Sequence, residues 1–82
     1  MTATQAIVER ALSRWRDADA VEELLALAGG VRDPLEAARD EFVARLHRDP
    51  GDVAATQALR LVLRALDRAA FSFGPQRANM VA

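Results

Sequence analysis

Apolar residues recur along this chain at intervals of three and four, and no segment alternates apolar and polar residues over the length of a strand. Such spacing places apolar side chains on one face of a helix, so the pattern predicts an all-α protein. The apolar positions of the N-terminal segment predict a helix from about Ala3 to Arg16. They are Ile7, Val8, Ala11, Leu12 and Trp15.

The segment that follows allows two interpretations. Its apolar face stays in phase through Ala18, Val21, Leu25 and Ala28. Asp19 followed by Glu22 has the spacing of a capping pair, which favours a second short helix. The continuous phase favours one long helix with a bend near residues 17–19, and this is our preferred prediction. In either case Gly29-Gly30 ends the helix, because glycine adopts the left-handed cap conformation at little cost.

Asp33-Pro34-Leu35-Glu36 predicts the start of the next helix, with Asp33 as the N-cap and Pro34 at the first helical position. We expect Glu41 and Arg45 to form an i,i+4 ion pair on its outer side. The apolar face of this helix consists of Leu35, Ala38, Phe42, Val43 and Leu46.

The stretch "HRDPGD" at residues 47–52 contains the only histidine of the chain and the HRD triplet of protein-kinase catalytic loops. The other kinase motifs are missing, so we exclude that activity. Pro50-Gly51 instead ends one helix, and Asp52 is positioned to cap the next. We therefore interpret the stretch as a helix boundary and expect no metal at His47, Asp49 and Asp52.

The last predicted helix, from about Val53 to Phe71, is apolar over a wide arc and must be covered on more than one side. Gly74-Pro75 ends it, so we predict one helical domain over residues 1–74 and a flexible tail over 75–82. Its main stripe consists of Ala55, Ala58, Leu59, Val62, Leu63, Leu66 and Ala70. Ala54, Leu61 and Ala65 widen this stripe.

These elements predict a small bundle of three or four helices. We expect the helices over residues 33–46 and 53–71 to form an antiparallel hairpin, with the N-terminal helix packed across it. The segment from Ala38 to Leu59 resembles a tetratricopeptide repeat, because Ala38, Phe42, Leu46 and Pro50 fall at the intervals of that family. Arg45 and Arg60 depart from its pattern. The resemblance implies stacked helical hairpins and protein–protein interaction.

The composition narrows the classes of function. The chain has 82 residues, a formal net charge of −1 and no cysteine, which excludes disulfides, thiolate catalysis and cysteine-ligated metals. The N-terminal residues lack the pattern of a signal peptide, and charged residues interrupt every apolar run before it reaches the length of a membrane span. We expect a cytoplasmic protein that does not interact with membranes.

Candidate catalytic groups are poorly arranged. The adjacent carboxylates Glu22-Glu23 and Asp40-Glu41 point about 100° apart on a helix, and no serine or threonine has a histidine nearby to activate it. We therefore predict no enzymatic activity and no cofactor. Arginines at i,i+4 spacing could instead bind phosphates or an acidic protein surface, in one row of Arg60, Arg64 and Arg68 and another of Arg10 and Arg14.

We predict a noncatalytic interaction or adaptor module that uses its apolar last helix to self-associate or to dock on a larger protein. A small regulator that binds nucleic acid through the arginine rows is one alternative, although the near-neutral charge disfavours nucleic acid as the partner. A structural subunit of an enzyme complex is the other. The residues expected to contact a partner are Trp15, Arg60, Leu61, Arg64, Phe71 and Phe73.

Overall fold

A computed structural model describes the backbone of residues 1–72 and the side chains of residues 1–70. Within this range the chain forms four helices and no strand, which confirms the predicted all-α fold. The helices are α1 (Ala3–Arg14), α2 (Ala20–Ala28), α3 (Asp33–Arg48) and α4 (Val53–Ser72). The predicted tail over residues 75–82 lies outside the described residues.

The four helices form a bundle in which α3 and α4 pack most extensively against each other. They are joined by residues 49–52 and form the predicted antiparallel hairpin. α1 packs against both α2 and α3, and α2 packs against α4. The order around the bundle is therefore α1, α2, α4, α3. Because α1 also reaches α4 across the centre, α4 contacts all three of the other helices.

The N-terminal region is two helices, so the prediction of one long bent helix is wrong. Tight turns separate them: the Asp17 N–H donates to the Arg14 carbonyl at 3.0 Å, and the Ala20 N–H donates to the Asp17 carbonyl at 3.1 Å. This turn allows α2 to pack back against α1. It also changes which residues face inward: Ala18, in the turn before α2, is exposed, and Leu24 of α2 is fully buried.

Of the three aspartates predicted to cap helices, Asp19 occupies the predicted N-cap position without a cap bond, Asp33 lies one residue past it, and only Asp52 forms a side-chain cap bond. Asp19 and Arg32 occupy the N-cap positions of α2 and α3 in helical conformation and make no side-chain cap bond, and Asp33 is already the first residue of α3. Asp52 does cap α4, because its Oδ1 accepts a hydrogen bond from the Ala55 N–H at 2.9 Å. At the first helix, Thr2 and Gln5 form a capping box, a feature the sequence analysis missed.

The difference between the aspartates leads to a prediction. We expect Asp52→Ala to lower the free energy of unfolding by about 1 kcal/mol, because it leaves the Ala55 N–H without its acceptor. Asp19→Ala is the matched control, since it removes the same carboxylate from an N-cap without breaking a cap bond. Urea denaturation of both variants measures the difference, and equal losses would contradict the assigned role of Asp52.

Every buried side chain in the described part of the chain is apolar. Leu24, Leu35, Phe42, Leu61 and Val62 are the large residues at the centre, together with Ile7 from α1. Seven alanines have no exposed surface at all and allow the helices to approach closely. They are Ala11, Ala20, Ala38, Ala55, Ala58, Ala65 and Ala69. The predicted inward face of α3 is confirmed for Leu35, Ala38 and Phe42, whereas Val43 is exposed.

Candidate functional site

The structure separates the predicted partner-contacting residues into three groups. Arg60 and Arg64 are exposed on α4. Leu61 is only 1% exposed and lies in the core, so it is not accessible to a partner, contrary to the prediction. Its position is explained by the helical phase of α4, in which residues 58, 61, 62 and 65 face the other helices. Phe71 and Phe73 belong to the predicted group as well, but their side chains lie outside the described residues.

Trp15 is only half-buried and packs against the edge of the core immediately after α1. The Arg16 guanidinium lies 4.9 Å from the centroid of the Trp15 ring, at the distance of a cation–π interaction. The indole thus contacts the core on one side and Arg16 of its own chain on another. Trp15 contributes to packing at the α1–α2 turn, and a partner would meet only its remaining exposed part.

Three of the five arginines in the predicted rows form ion pairs within the chain. Arg10 and Arg14 both contact Glu23 of α2, with N–O distances of 3.2 and 3.5 Å, and Arg68 pairs with Glu22. The hydrogen bond to Asp17, followed by the charge of Glu23, raises the pKa of the Arg14 guanidinium. These arginines therefore connect α1 and α4 to α2. Within residues 1–70, Arg60 and Arg64 form no such pair.

The angle between two residues around the axis of α4 shows which neighbouring helix each of them faces. The ion pair between Arg68 and Glu22 shows that one flank of α4 faces α2. Leu63 lies about 140° from Arg68 around the helix axis, which places it on the opposite flank, next to α3. Its side chain is 46% exposed, in contrast to the buried Leu61 and Leu66.

α3 presents a matching residue on its flank toward α4. Glu41 and Arg45 line an open groove with residues of α1, so that flank of α3 faces α1. Val43 lies about 160° from Arg45 around the helix axis and is therefore on the side of α4. It is 38% exposed. Val43 and Leu63 thus lie along the same outer seam of the hairpin.

Two charged residues of α4 border this seam. Arg60 precedes Leu63 by three positions and Asp67 follows it by four, so both lie within about 60° of Leu63 around the helix. Both side chains are exposed, and neither forms an ion pair within residues 1–70. We call the surface formed by Val43, Arg60, Leu63 and Asp67 the hairpin face.

Other surface features are accounted for by local structure. Arg45 does not pair with Glu41 as predicted, and its guanidinium lies 5.7 Å from the centroid of the Phe42 ring. In the "HRDPGD" stretch, Asp49 accepts a hydrogen bond from the Gly51 N–H at 3.3 Å and Asp52 caps α4. In the part of the chain that the structure describes, no three histidine, aspartate or glutamate side chains come together as a metal-binding group. None of the described helices has the length and apolar character needed to cross a membrane.

The chain matches no protein-family model, no curated protein and no solved structure. The resemblance of residues 38–59 to a tetratricopeptide repeat therefore stays a prediction. These residues span most of α3, the turn that contains Pro50 and the start of α4.

Proposed function

We propose that this chain is a noncatalytic interaction module that binds a protein partner through the hairpin face. One observation carries the proposal. Five large apolar side chains in the described range are exposed, and three of them lie at the start of the chain, in a turn or at the first residue of α4. The other two are Val43 and Leu63, which lie in the middle of helices and on the same seam.

The composition of the hairpin face supports the proposal. A protein–protein interface commonly has an apolar centre that excludes water and a polar margin that sets orientation. Leu63 and Val43 provide the apolar positions, and Arg60 and Asp67 provide charges of both signs at the margin. Arginine is also enriched at interfaces because its planar group forms several hydrogen bonds at once.

The arginine rows lend less support to a nucleic-acid regulator. Arg10, Arg14 and Arg68 are held by carboxylates of α2, and Asp67 lies beside Arg60 and Arg64 on the same exposed side of α4. Nucleic-acid phosphates bind best to surfaces of uniform positive charge, whereas the exposed side of α4 carries charges of both signs. A protein surface with both apolar and charged groups fits it better.

Photocrosslinking in the cells that produce the protein tests the proposed function. We expect p-benzoylphenylalanine in place of Leu63 to form a specific adduct, since the side chain at this position points into the interface. Ala26, an exposed residue of α2, is the matched control position. The adduct should also decrease when Arg60→Glu is added to the same chain. If position 63 gives no more adduct than position 26, the hairpin face is not a binding surface.

A further inference from the structure

We infer that the partner of the hairpin face is a second copy of this chain, bound through an antiparallel contact between the two α4 helices. This inference rests on the proposed function and names the partner for the same surface. It starts from the order of residues along the exposed stripe of α4, which is Arg60, Leu63, Asp67.

The stripe is arranged almost symmetrically about Leu63. Successive residues of an α-helix turn by 100° and rise by 1.5 Å, so Thr56, Arg60, Leu63, Asp67 and Ala70 lie on a stripe about 80° wide. Arg60 and Asp67 are about 10 Å apart along the axis, and their midpoint lies half a residue beyond Leu63. The stripe thus has a positive charge on one side of an apolar residue and a negative charge at nearly the same distance on the other.

A twofold axis through this midpoint makes the stripe complementary to itself. In a contact of this symmetry each residue meets its counterpart across the axis. In an antiparallel arrangement, Arg60 of one copy lies opposite Asp67 of the other, and the pair occurs twice. Along the helix axes, the two Leu63 residues are displaced from each other by only about 1.5 Å. Their side chains therefore form the apolar centre of the contact.

The charges also select the direction of the contact. A parallel twofold arrangement would place Arg60 opposite Arg60 and Asp67 opposite Asp67, and both pairs would repel. Only the antiparallel arrangement pairs opposite charges at both ends. Neither residue forms an ion pair within residues 1–70. Asp67 shares a shallow pocket with Arg64 and Arg68 of the same helix.

The neighbouring residues are compatible with close approach of a second helix. Thr56 and Ala70 occupy the same stripe one heptad before and one heptad after Leu63, and both side chains are small. In the antiparallel pair Thr56 of one copy lies near the level of Ala70 of the other. Val43 of α3 is also exposed and lies about 7 Å closer to the 49–52 turn than Leu63, so it can extend the apolar part of the contact only toward that end.

The size of the contact predicts its strength. One helix face from each copy buries an area at or below about 1,200 Å², the range of weak and transient complexes. We therefore expect a dimer with a dissociation constant in the micromolar range. Because the ion pairs lie at the margin, the dimer should weaken as ionic strength increases.

Reversing the two charges separately and together tests the inference in purified full-length protein. Sedimentation equilibrium gives the dissociation constant of each form. We expect Arg60→Glu and Asp67→Arg each to weaken the dimer about tenfold, because each change turns two attractive pairs into two repulsive ones. The double variant restores opposite charges across the axis, so its dissociation constant should return to within about threefold of the original.

The design controls for net charge and for folding. From the net charge of −1, Arg60→Glu gives −3 and Asp67→Arg gives +1. An effect of total charge alone would therefore weaken the first dimer and leave the second nearly unchanged, whereas the proposed contact predicts that both weaken. Circular dichroism checks that helix content is preserved, and Leu63→Gln gives a second, independent variant that should also weaken the dimer.

Two results would overturn the inference. One is a chain that stays monomeric at high micromolar concentration and low salt, and the other is a dimer that neither single charge reversal weakens. Neither result contradicts the proposed function, which the photocrosslinking experiment tests separately. If position 63 crosslinks to a different protein while the purified chain is monomeric, the hairpin face binds a partner and only the identity of that partner is wrong. A crosslinked product of twice the chain mass supports both.

Discussion

Phe42→Ala is expected to lower the free energy of unfolding by about 3–5 kcal/mol. The side chain has no exposed surface and is the largest of those fully buried, so its removal leaves a cavity that the surrounding helices cannot fill completely. Small domains have about 5–15 kcal/mol of total stability, so this single change removes a large part of it. Urea denaturation followed by circular dichroism measures the loss.

Val43→Ala is the matched control for Phe42. It shortens the adjacent side chain of the same helix, but that side chain is 38% exposed and already contacts solvent. We expect its effect on unfolding to stay within about 0.5 kcal/mol. A loss as large as that of Phe42→Ala would mean that α3 is rotated relative to the structure described above, and Val43 would then no longer belong to the hairpin face.

Leu61→Ala is expected to cost about 2–5 kcal/mol, while Leu63→Ala leaves the free energy of unfolding of the monomer nearly unchanged. The two residues are two positions apart on α4 and chemically identical, but Leu61 is 1% exposed and Leu63 is 46% exposed. The comparison isolates burial as the cause, because the same atoms are removed from the same helix. Both variants should be measured at low concentration, where self-association does not contribute.

The variants Leu61→Ala and Leu63→Ala also distinguish the stability of the monomer from the strength of the dimer. Leu63→Ala should weaken the dimer at high concentration, although it hardly affects the monomer. Leu61→Ala should do the reverse: as long as the chain is folded, the contact between copies is retained. If Leu63→Ala instead destabilised the monomer by several kcal/mol, Leu63 would be a core residue and the hairpin face would lose its centre.

Much of the fold follows from local sequence signals. The 3–4 spacing determines the helical class, and Gly29-Gly30 and Pro50-Gly51 mark two of the three boundaries between helices. Gly29 adopts a φ of 67°, the left-handed conformation for which glycine is favoured. The boundary between α1 and α2 carries no proline or glycine. The sequence located it near residues 17–19 but could not decide between a bend and a break, because the apolar phase continues across it.

The candidate site was harder to predict, since burial on α4 depends on the positions of other helices. The sequence predicts a broad apolar arc on α4, and Leu61 was the partner contact expected within it. Which edge of that arc remains exposed is decided by the packing of α2 on one flank and α3 on the other. Arg60, selected as a partner contact, is exposed, whereas Asp67 was not selected. In the proposed contact Asp67 is the complementary charge, and the reason for selecting it is the exposure of Leu63 between Arg60 and Asp67.

The seven fully buried alanines have a consequence for how this sequence can change over generations. At such positions almost every amino-acid replacement adds atoms, and insertion of extra methylene groups into a well-packed interior typically costs about 1–3 kcal/mol. Four of the seven lie on the inner side of α4, at residues 55, 58, 65 and 69. Drift is therefore constrained on this side by an upper limit on side-chain volume. The opposite side of the same helix is free of that limit, so side chains there can change in size without disturbing the packing of the bundle.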